Sequence, residues 1–237
     1  MLSIIIPALN EEKYLPLLLR SIKGQDFSED YEIIVADAGS KDKTIEIARS
    51  FGCKTVKGGL PAIGRNSGAK IAKGKLLLFL DADVVLPQGF LENSLCEFEK
   101  RKLDIASYRL TSKTNNLLFK TAFHGFYNNF IVVSQKVSAH GAMGIIIRKE
   151  IFDKVGGFDE SVKMAEDHYF VRKASKFGKF GIIKSAKIFI TLRRFERDGY
   201  LKTFFKYFLC GFFTVSGKAI RSDFFNYRFD HYSKKEK

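Results

Sequence analysis

The first 110 residues of the chain carry short apolar runs that alternate with amphipathic stretches, a pattern typical of strands and helices in turn. Strands are predicted over residues 2–6, 31–36 and 53–56. Helices are predicted over residues 44–51 and 63–72, and a first helix is expected between Asn10 as its N-cap and Gly24 as its end. Glu11 and Glu12 are expected in the first turn of that helix, where acidic side chains suit the helix dipole. This β-α-β-α order opens a Rossmann-like, doubly wound α/β sheet.

The rest of the chain is organised around residues 75–83, which read KLLLFLDAD. The apolar run at residues 76–80 predicts a strand that is buried on both faces of a parallel sheet. Asp81 and Asp83 follow at its carboxyl end, the edge where open α/β sheets bind their ligands. Two carboxylates there are suited to a Mg²⁺ or Mn²⁺ ion that draws further ligands from a nucleotide diphosphate. The alternative is an acidic turn with no ligand.

The second half of the chain continues the alternation without a linker or an internal repeat. Helices are predicted over residues 87–100, 115–135 and 164–177, and strands over residues 104–110, 144–147 and 187–191. Residues 148–155 connect the strand at 144–147 to a turn at 156–158. We therefore expect one domain over residues 1–198, with a nucleotide-binding half at 1–110 and an acceptor half at 111–198. Residues 199–237 form a separate C-terminal segment in this prediction.

The C-terminal segment begins with an amphipathic helix predicted over residues 200–213, with Lys202 and Lys206 opposite its apolar side. Packing against the domain, contact with a twin subunit in a homodimer and contact with a membrane surface all suit such a helix. From residue 184 onward the chain holds 13 Lys and Arg, 5 Asp and Glu, and ten Phe. Basic residues mixed with Phe favour an anionic membrane surface as the partner.

Composition narrows the class of partner. The 237 residues are 46% apolar and carry a formal charge of +14, so a folded protein with an anionic partner is expected. No nucleic-acid motif is present, so a nucleic-acid partner is not expected. A signal peptide is not expected, since the sequence shows no charged leader before an apolar stretch, and no run approaches the roughly 20 apolar residues that span a bilayer. Cys53, Cys96 and Cys210 form no C-x-x-C, so we predict a reduced, cytoplasmic protein peripherally associated with the inner face of the membrane.

Six short motifs, taken together and in order, resemble those of glycosyltransferase family 2, the inverting group with a GT-A fold. They are SIIIPALNEE at residues 3–12, DAGSKDKT at 37–44, GRNSGA at 64–69, DAD at 81–83, GGFDE with a later ED at 156–160 and 166–167, and RRFERDG at 193–199. The resemblance implies a GT-A, Rossmann-like and mostly parallel central sheet flanked by helices. It departs from the family pattern at Ala38, which replaces the second aspartate of D-D-G-S.

The resemblance implies a donor site at the nucleotide-binding half. Its residues would be Pro7, Ala8, Asn10, Glu11, Asp37, Arg65, Asp81, Ala82, Asp83 and Arg194. Asp37 would accept hydrogen bonds from the nucleobase, and Asp83, with Asp81, would hold Mg²⁺ or Mn²⁺. Arg65 would lie near the nucleotide, and Arg194 would reach the diphosphate. The donor implied is a nucleotide diphosphate sugar, either GDP-mannose or a UDP-sugar.

The resemblance also implies an acceptor side that includes Gly157 and Glu166, with Asp167 as the general base. Residues 140–142 are expected to border the acceptor pocket. An inverting transfer needs a base because the attacking hydroxyl loses its proton as the new bond forms. Alternatively, Glu166 and Asp167 are acids that stabilise a helix N-terminus. A saccharide and a polyprenyl phosphate both remain open as acceptors, and a phosphate acceptor would need no base.

The overall prediction is a metal-dependent inverting glycosyltransferase that moves one sugar to a lipid-linked or glycan acceptor at a membrane surface. A processive synthase is not expected, since Thr191 and Phe195 stand where the Q-x-x-R-W signature has Gln and Trp. One rival is a nucleotidyltransferase-like α/β enzyme, but the loop at residues 7–12 lacks the glycine-rich, basic sequence expected of it. The other rival is a non-catalytic basic protein that binds nucleic acid or lipid.

Overall fold

A single mixed sheet forms the centre of the molecule in residues 1–112, 139, 141, 143–199 and 221, the part of the chain that this computed structural model describes. Its strands are β1 (Leu2–Ala8), β2 (Tyr31–Asp37), β3 (Lys54–Lys57), β4 (Leu76–Leu80), β5 (Val84–Val85), β6 (Ile105–Ser112), β7 (Gly144–Arg148) and β8 (Phe180–Ile190). Their order across the sheet is β3-β2-β1-β4-β7-β6-β8-β5. The predicted α/β class and doubly wound opening are confirmed.

Helices cover both faces of this sheet. They are α1 (Leu15–Lys23), α2 (Thr44–Ser50), α3 (Pro61–Ile71), α4 (Phe90–Lys100), α5 (Lys149–Val155), α6 (Glu166–Ala174) and α7 (Arg193–Asp198). Apolar side chains of α1, α2 and α4 fill the core on one face, and those of α3, α5 and α6 fill the core on the other. In these described ranges no helix is both long and apolar enough to cross a bilayer.

Strand β4 is buried on both faces, as its continuous apolar run predicts. Leu77 and Phe79 enter one core while Leu78 and Leu80 enter the other, because side chains alternate along a strand. β4 pairs in parallel with β1 but antiparallel with β7, so the sheet is mostly rather than wholly parallel. The expectation of an all-parallel environment for β4 is wrong on that side.

The strand directions bring several chain segments to one edge of the sheet. β1, β2 and β4 are mutually parallel, and the two antiparallel steps through β7 make β6 and β8 parallel to them as well. The residues that follow β1, β2, β4 and β8 therefore meet at the carboxyl edge. We call this the carboxyl edge of the sheet, and it carries the candidate site.

The start of the first helix was predicted wrongly. Helix α1 begins at Leu15 with Tyr14 as its N-cap, and Asn10 lies in the preceding loop with φ 54°. The Asn10 N–H donates to Ser40 Oγ at 2.8 Å, and Asn10 Oδ1 accepts the N–H of Lys41 at 2.8 Å. These hydrogen bonds join the loop after β1 to the loop after β2. The Asn10 side chain, which was expected to cap the helix, therefore bonds to a loop that is distant along the chain.

Other boundaries differ from the prediction by a few residues, and one strand differs by more. The last strand was predicted over residues 187–191, but β8 runs over Phe180–Ile190 and pairs along β6 with a register shift. At that shift Glu97 of α4 accepts the N–H groups of Lys184 at 2.9 Å and Ser185 at 2.7 Å. The strand continues through the irregularity because a side chain satisfies the two N–H groups that leave the ladder.

Candidate active site at the carboxyl edge

Asp81 is ion-paired to a buried arginine rather than free at the edge. Arg65 of α3 contacts Asp81 Oδ1 through Nη2 at 2.8 Å, and through Nη1 it contacts Glu166 Oε1 at the start of α6. The guanidinium also lies over the ring of Phe158, 5.3 Å from its centroid. Only 5% of the Arg65 side chain is exposed. One buried cation thus holds a carboxylate from the end of β4 beside one from the start of α6.

Burial and the charges in this cluster shift the pKa values of both Asp81 and Arg65. Burial raises the pKa of the Asp81 carboxyl to about 7 despite the opposing charge of Arg65, and the nearby carboxylates of Asp83, Asp167 and Glu166 add to the rise. Burial alone would lower the pKa of Arg65, but the carboxylates of Glu166, Asp81 and Asp167 outweigh it and raise that pKa. Arg65 is therefore a permanent cation, and Asp167 belongs to the same charge cluster as Asp81.

Asp83 is held by a second arginine, which sequence reasoning did not assign to the site. Arg193 of α7 contacts Asp83 Oδ2 through Nε at 2.9 Å and donates to both oxygens of Glu11, at 2.9 and 2.8 Å. Its guanidinium stacks on Tyr14, 4.8 Å from the ring centroid. Thr191 Oγ1 donates to the same Asp83 oxygen at 3.2 Å. The only sequence signal for Arg193 was its place beside Arg194 in the RRF motif.

Asp37 ends β2, and only one of its two carboxylate oxygens accepts hydrogen bonds from the residues that the structure describes. Its Oδ2 accepts the N–H groups of Gly39 at 2.9 Å and Ser40 at 3.0 Å, which fixes the loop after the strand. Its Oδ1 is buried and accepts no hydrogen bond from the residues that the structure describes. A buried acceptor of this kind requires a donor, and a ligand N–H is suited to supply it.

Asp167 differs from its neighbour Glu166 in how much it is constrained. Glu166 is 9% exposed and bound to Arg65, whereas Asp167 is only partly buried and its Oδ1 accepts the N–H of His168 at 2.8 Å. A Cβ on Gly141 would lie 2.4 Å from the backbone carbon of Asp167, so that segment approaches as closely as a glycine permits. Of the two acids, Asp167 is therefore the less constrained.

Gly157 belongs to a turn that α3 holds in place. The turn places Gly157 at φ 75°, and a Cβ there would lie 2.7 Å from Asn66 Oδ1. Asn66 donates to the carbonyl of Phe158 at 2.9 Å and accepts its N–H at 2.9 Å. Arg65 and Asn66 are adjacent in α3, so one helix contacts both the acidic cluster and the turn that contains Gly157.

The other residues that the resemblance assigns to the donor site include Pro7, Ala8, Ala82 and Asn10, which lie near the same edge. Pro7, the penultimate residue of β1, lies beside Gly64 of α3, where a Cβ would lie 3.0 Å from Pro7 Cβ. Ala8 ends the strand, and its carbonyl accepts the N–H of Ala38 at 2.9 Å, which extends the pairing of β1 and β2 by one residue beyond the end of β2. Ala82 is 4% exposed, its side chain being part of the core. Asn10 links two loops, as described above, so its contacts are structural here.

Several predicted features lie outside the described residues or side chains. The side chain of Arg194 is among them, although α7 carries its backbone to the site. The predicted helices over residues 115–135 and 200–213 and residues 140 and 142 are also outside, so those expectations stay predictions. Arg221 is described, and it contacts Asp159 at 3.1 Å and Ser161 at 2.9 Å in the segment that follows the turn.

The carboxyl edge is suited to a hard divalent cation by the chemistry of its donors. Asp81 and Asp83 offer carboxylate oxygens, and carboxylates outnumber arginines in the described cluster of Glu11, Asp81, Asp83, Glu166, Asp167, Arg65 and Arg193. Within residues 1–112 and 143–199, no three His, Cys, Asp or Glu side chains gather as a complete metal cage. A cation here would thus take one or two carboxylates from the protein and its other ligands from water and phosphate, as Mg²⁺ often does.

Solved structures with the same fold come from bacterial and archaeal transferases. The crystal structure of Staphylococcus aureus TarS 1-349 in complex with UDP-GlcNAc superposes with a TM-score of 0.65 at 23% identity, over 80% of this chain and 58% of that one. The mannosyltransferase PcManGT from Pyrobaculum calidifontis, in complex with GDP-Man and Mn²⁺, gives a TM-score of 0.65 at 21% identity, over 79% and 56%. These similarities establish the fold as GT-A.

Sequence comparison gives the family. The chain is 27% identical over 183 residues to the poly(ribitol-phosphate) beta-N-acetylglucosaminyltransferase TarS of Staphylococcus aureus, which is 73% of this chain and 32% of that protein. The chain therefore spans about a third of the length of this curated relative. The model of glycosyl transferase family 2 matches residues 3–156, which is more than half of the chain. The chain described here therefore belongs to glycosyltransferase family 2.

Proposed function

We propose that the protein transfers a single sugar from a nucleoside diphosphate sugar to a hydroxyl of a lipid-linked or glycan acceptor, with inversion at the anomeric carbon and with Mg²⁺ or Mn²⁺ as cofactor. The observation that carries this proposal is the shared charge cluster of Asp81, Asp83 and Asp167 at one edge of the sheet. A site for the leaving diphosphate and a candidate base lie side by side there. The family match selects a sugar transferase over the nucleotidyltransferase rival.

The donor site extends from the nucleobase to the diphosphate along the ends of β2, β1 and β4. The buried Oδ1 of Asp37 is suited to accept an N–H from the base, and both uracil and guanine carry one. UDP-GlcNAc and GDP-Man are bound by the two structural neighbours named above, so a UDP-sugar and GDP-mannose are the donor candidates.

The transfer itself follows from the roles of three side chains. The acceptor hydroxyl gives its proton to the Asp167 carboxylate while its oxygen bonds to the anomeric carbon, and the bond from that carbon to the diphosphate breaks. Arg65 holds Asp81 and Glu166 in place, which leaves Asp167 as the acid that faces the acceptor. Arg194 is proposed to reach the diphosphate. A bound Mg²⁺ or Mn²⁺ would offset the negative charge that collects on the departing diphosphate.

The net charge of the chain supports a proposal for the class of acceptor. The formal charge of +14 favours an acceptor or surface that carries negative charge, such as a phosphate-bearing glycan, a polyprenyl phosphate or anionic lipid. The basic, Phe-rich C-terminal segment supports peripheral association with the inner face of the membrane, and a homodimer through the same segment is the competing use of its apolar side. If the attacking group is itself a phosphate, Asp167 does not act as base.

The first test is thermal stabilisation of the protein by a panel of nucleoside diphosphates, with Mn²⁺ or with a chelator. A ligand at about 100 times its dissociation constant should stabilise the fold by roughly 2.7 kcal/mol. We expect a metal-dependent shift with UDP or GDP that is lost in Asp83→Ala. Asp26→Ala, at an exposed position, is the matched control and should respond as the native protein does. No shift with any nucleotide would refute the proposed donor class.

A further inference from the structure

Arg193 is fixed at one position by contacts on three sides. Glu11 accepts hydrogen bonds from both of its terminal nitrogens, its Cζ lies over the Tyr14 ring, and Asp83 contacts its Nε. The side chains of Arg193, Glu11 and Asp83 are 13%, 9% and 10% exposed. Such a buried, two-sided ion pair is specific in geometry, because a planar guanidinium fits a carboxylate along one edge.

This arrangement places a cation on one oxygen of the carboxylate that is proposed to bind metal. Oδ2 of Asp83 contacts Arg193 Nε at 2.9 Å and accepts from Thr191 Oγ1 at 3.2 Å. A divalent cation bound to the same oxygen would bring two like charges together in a poorly solvated site, and these charges repel. Arg193 and the metal are therefore alternative partners of Asp83.

We propose that Arg193 is a positioning residue that occupies Asp83 in the ligand-free protein and leaves it when a divalent cation binds together with a nucleoside diphosphate. This inference rests on the metal site proposed above. Glu11 retains the guanidinium by its other edge, so the displacement is local and the released charge stays at the edge where the diphosphate binds. Arg193 is distinct from Arg194, the neighbour assigned to the diphosphate by resemblance.

Two consequences follow for binding. Without nucleotide, a metal ion must displace Arg193 unaided, so its affinity is low. With a diphosphate present, the anion offers the displaced guanidinium a new partner, and metal and nucleotide each strengthen the binding of the other. Such coupling is reciprocal by thermodynamic necessity. The coupling should depend on Arg193 and not on the total charge of α7.

The test is Mn²⁺ binding measured by the electron paramagnetic resonance signal of the free ion, on the full chain with and without UDP or GDP. Arg193→Gln should bind Mn²⁺ at least tenfold more tightly than the native protein when nucleotide is absent. Arg197→Gln removes one charge from an exposed position of the same helix and should bind as the native protein does. Asp83→Asn should lose the site in both conditions.

A second readout avoids any dependence on how well Arg193→Gln folds. The chain has no Trp, so Tyr14→Trp creates a single emitter beside the guanidinium. Mg²⁺ with nucleoside diphosphate should change the emission of that variant, and the change should be absent when Asp83→Asn is added. Mg²⁺ replaces Mn²⁺ here because Mn²⁺ is paramagnetic and quenches fluorescence.

The outcomes separate this inference from the proposed function. If Asp83→Asn loses Mn²⁺ while Arg193→Gln binds it no better than the native protein, Arg193 does not compete for Asp83 and the inference is wrong, although the metal site stands. An unchanged Tyr14→Trp emission under conditions where metal is bound overturns it equally. If the native protein binds no Mn²⁺ even with nucleotide, the metal dependence of the proposed function is wrong, and the inference with it.

Discussion

Arg65 and Glu166 form a buried ion pair although 101 positions separate them along the chain. Arg65 lies in α3, in the first half of the chain, and Glu166 begins α6, in the second half. The same guanidinium contacts Asp81. The two halves are thus joined at the carboxyl edge by one charge, and the position of Asp167, next to Glu166, depends on it.

Removing that charge should destabilise the protein strongly. Arg65→Met leaves Glu166 and Asp81 without their cation in a buried site, and breaking a buried pair typically costs about 3–5 kcal/mol. The free energy of unfolding, from chemical denaturation, measures the loss. Arg20→Met, at an exposed position of α1, should change it little.

A second substitution, Glu166→Gln, tests whether the loss of stability comes from the ion pair between Arg65 and Glu166. Adding Glu166→Gln to Arg65→Met removes the uncompensated carboxylate, so the double variant should be more stable than the sum of the two single losses predicts. Simple additivity would mean that Arg65 stabilises the fold through Phe158 and Asp81 rather than through Glu166.

Asp167→Asn should separate the two acceptor classes. Since an amide cannot take the proton of a hydroxyl, kcat with a hydroxyl acceptor should fall by about 10²–10⁴. Transfer to a phosphate, which is already ionised, should persist. Product formation with each acceptor measures this, and nucleotide binding should be unchanged.

The control for that variant is Asp153→Asn, at an exposed position of α5, which should retain full transfer. A rate on hydroxyl acceptors close to that of the native enzyme in Asp167→Asn would refute the assignment of Asp167 as base.

Glu97 should make the stability of the fold depend on acid pH. Burial acts to raise the pKa of this carboxyl, but hydrogen bonds from Ser185, Lys184 and Arg101 outweigh burial and lower it to about 2. A lowered folded-state pKa stabilises the protein above pH 4.5, the ordinary value, and that stabilisation is lost as the pH falls toward 2.

Glu97→Gln should therefore unfold more easily than the native protein at pH 7, by about 1–2 kcal/mol. The difference should shrink between pH 4.5 and pH 2, over the range of the shift. Urea denaturation at several pH values measures it. A difference that is constant with pH would show that packing, and not the charge of Glu97, supports the irregularity in β8.

The C-terminal segment should bind anionic lipid. Lys202→Glu with Lys206→Glu reverses two charges on the polar side of the predicted helix, so the full chain should sediment less with vesicles that contain anionic lipid. Each basic residue near such a surface contributes about 1 kcal/mol. Lys70→Glu, exposed on α3, should have little effect. Equal sedimentation of both variants with the native protein would favour the use of this segment as a subunit contact.

Local pattern predicted most of the elements and failed where distant partners intervened. The apolar run at residues 76–80 predicts a strand that is buried on both faces, whatever its neighbours in the sheet. Strand β4 is buried in this way. Asn10 was expected to cap a helix, yet it bonds to Ser40 and Lys41, about 30 positions away. A polar side chain has several acceptable partners, and only the assembled sheet decided which loop was near enough to provide them.

The sequence by itself determined the α/β class, the strand that ends in Asp81 and Asp83, and the order of the motifs, because these depend on residue type and short spacing. Tertiary structure decided how the acids are neutralised. Arg65 reaches Asp81 across 16 positions, and Arg193 reaches Glu11 across 182. An ion pair forms where the order of the strands brings opposite charges together and where burial strengthens their attraction. The spacing of two residues along the chain predicts neither their distance in the fold nor their burial.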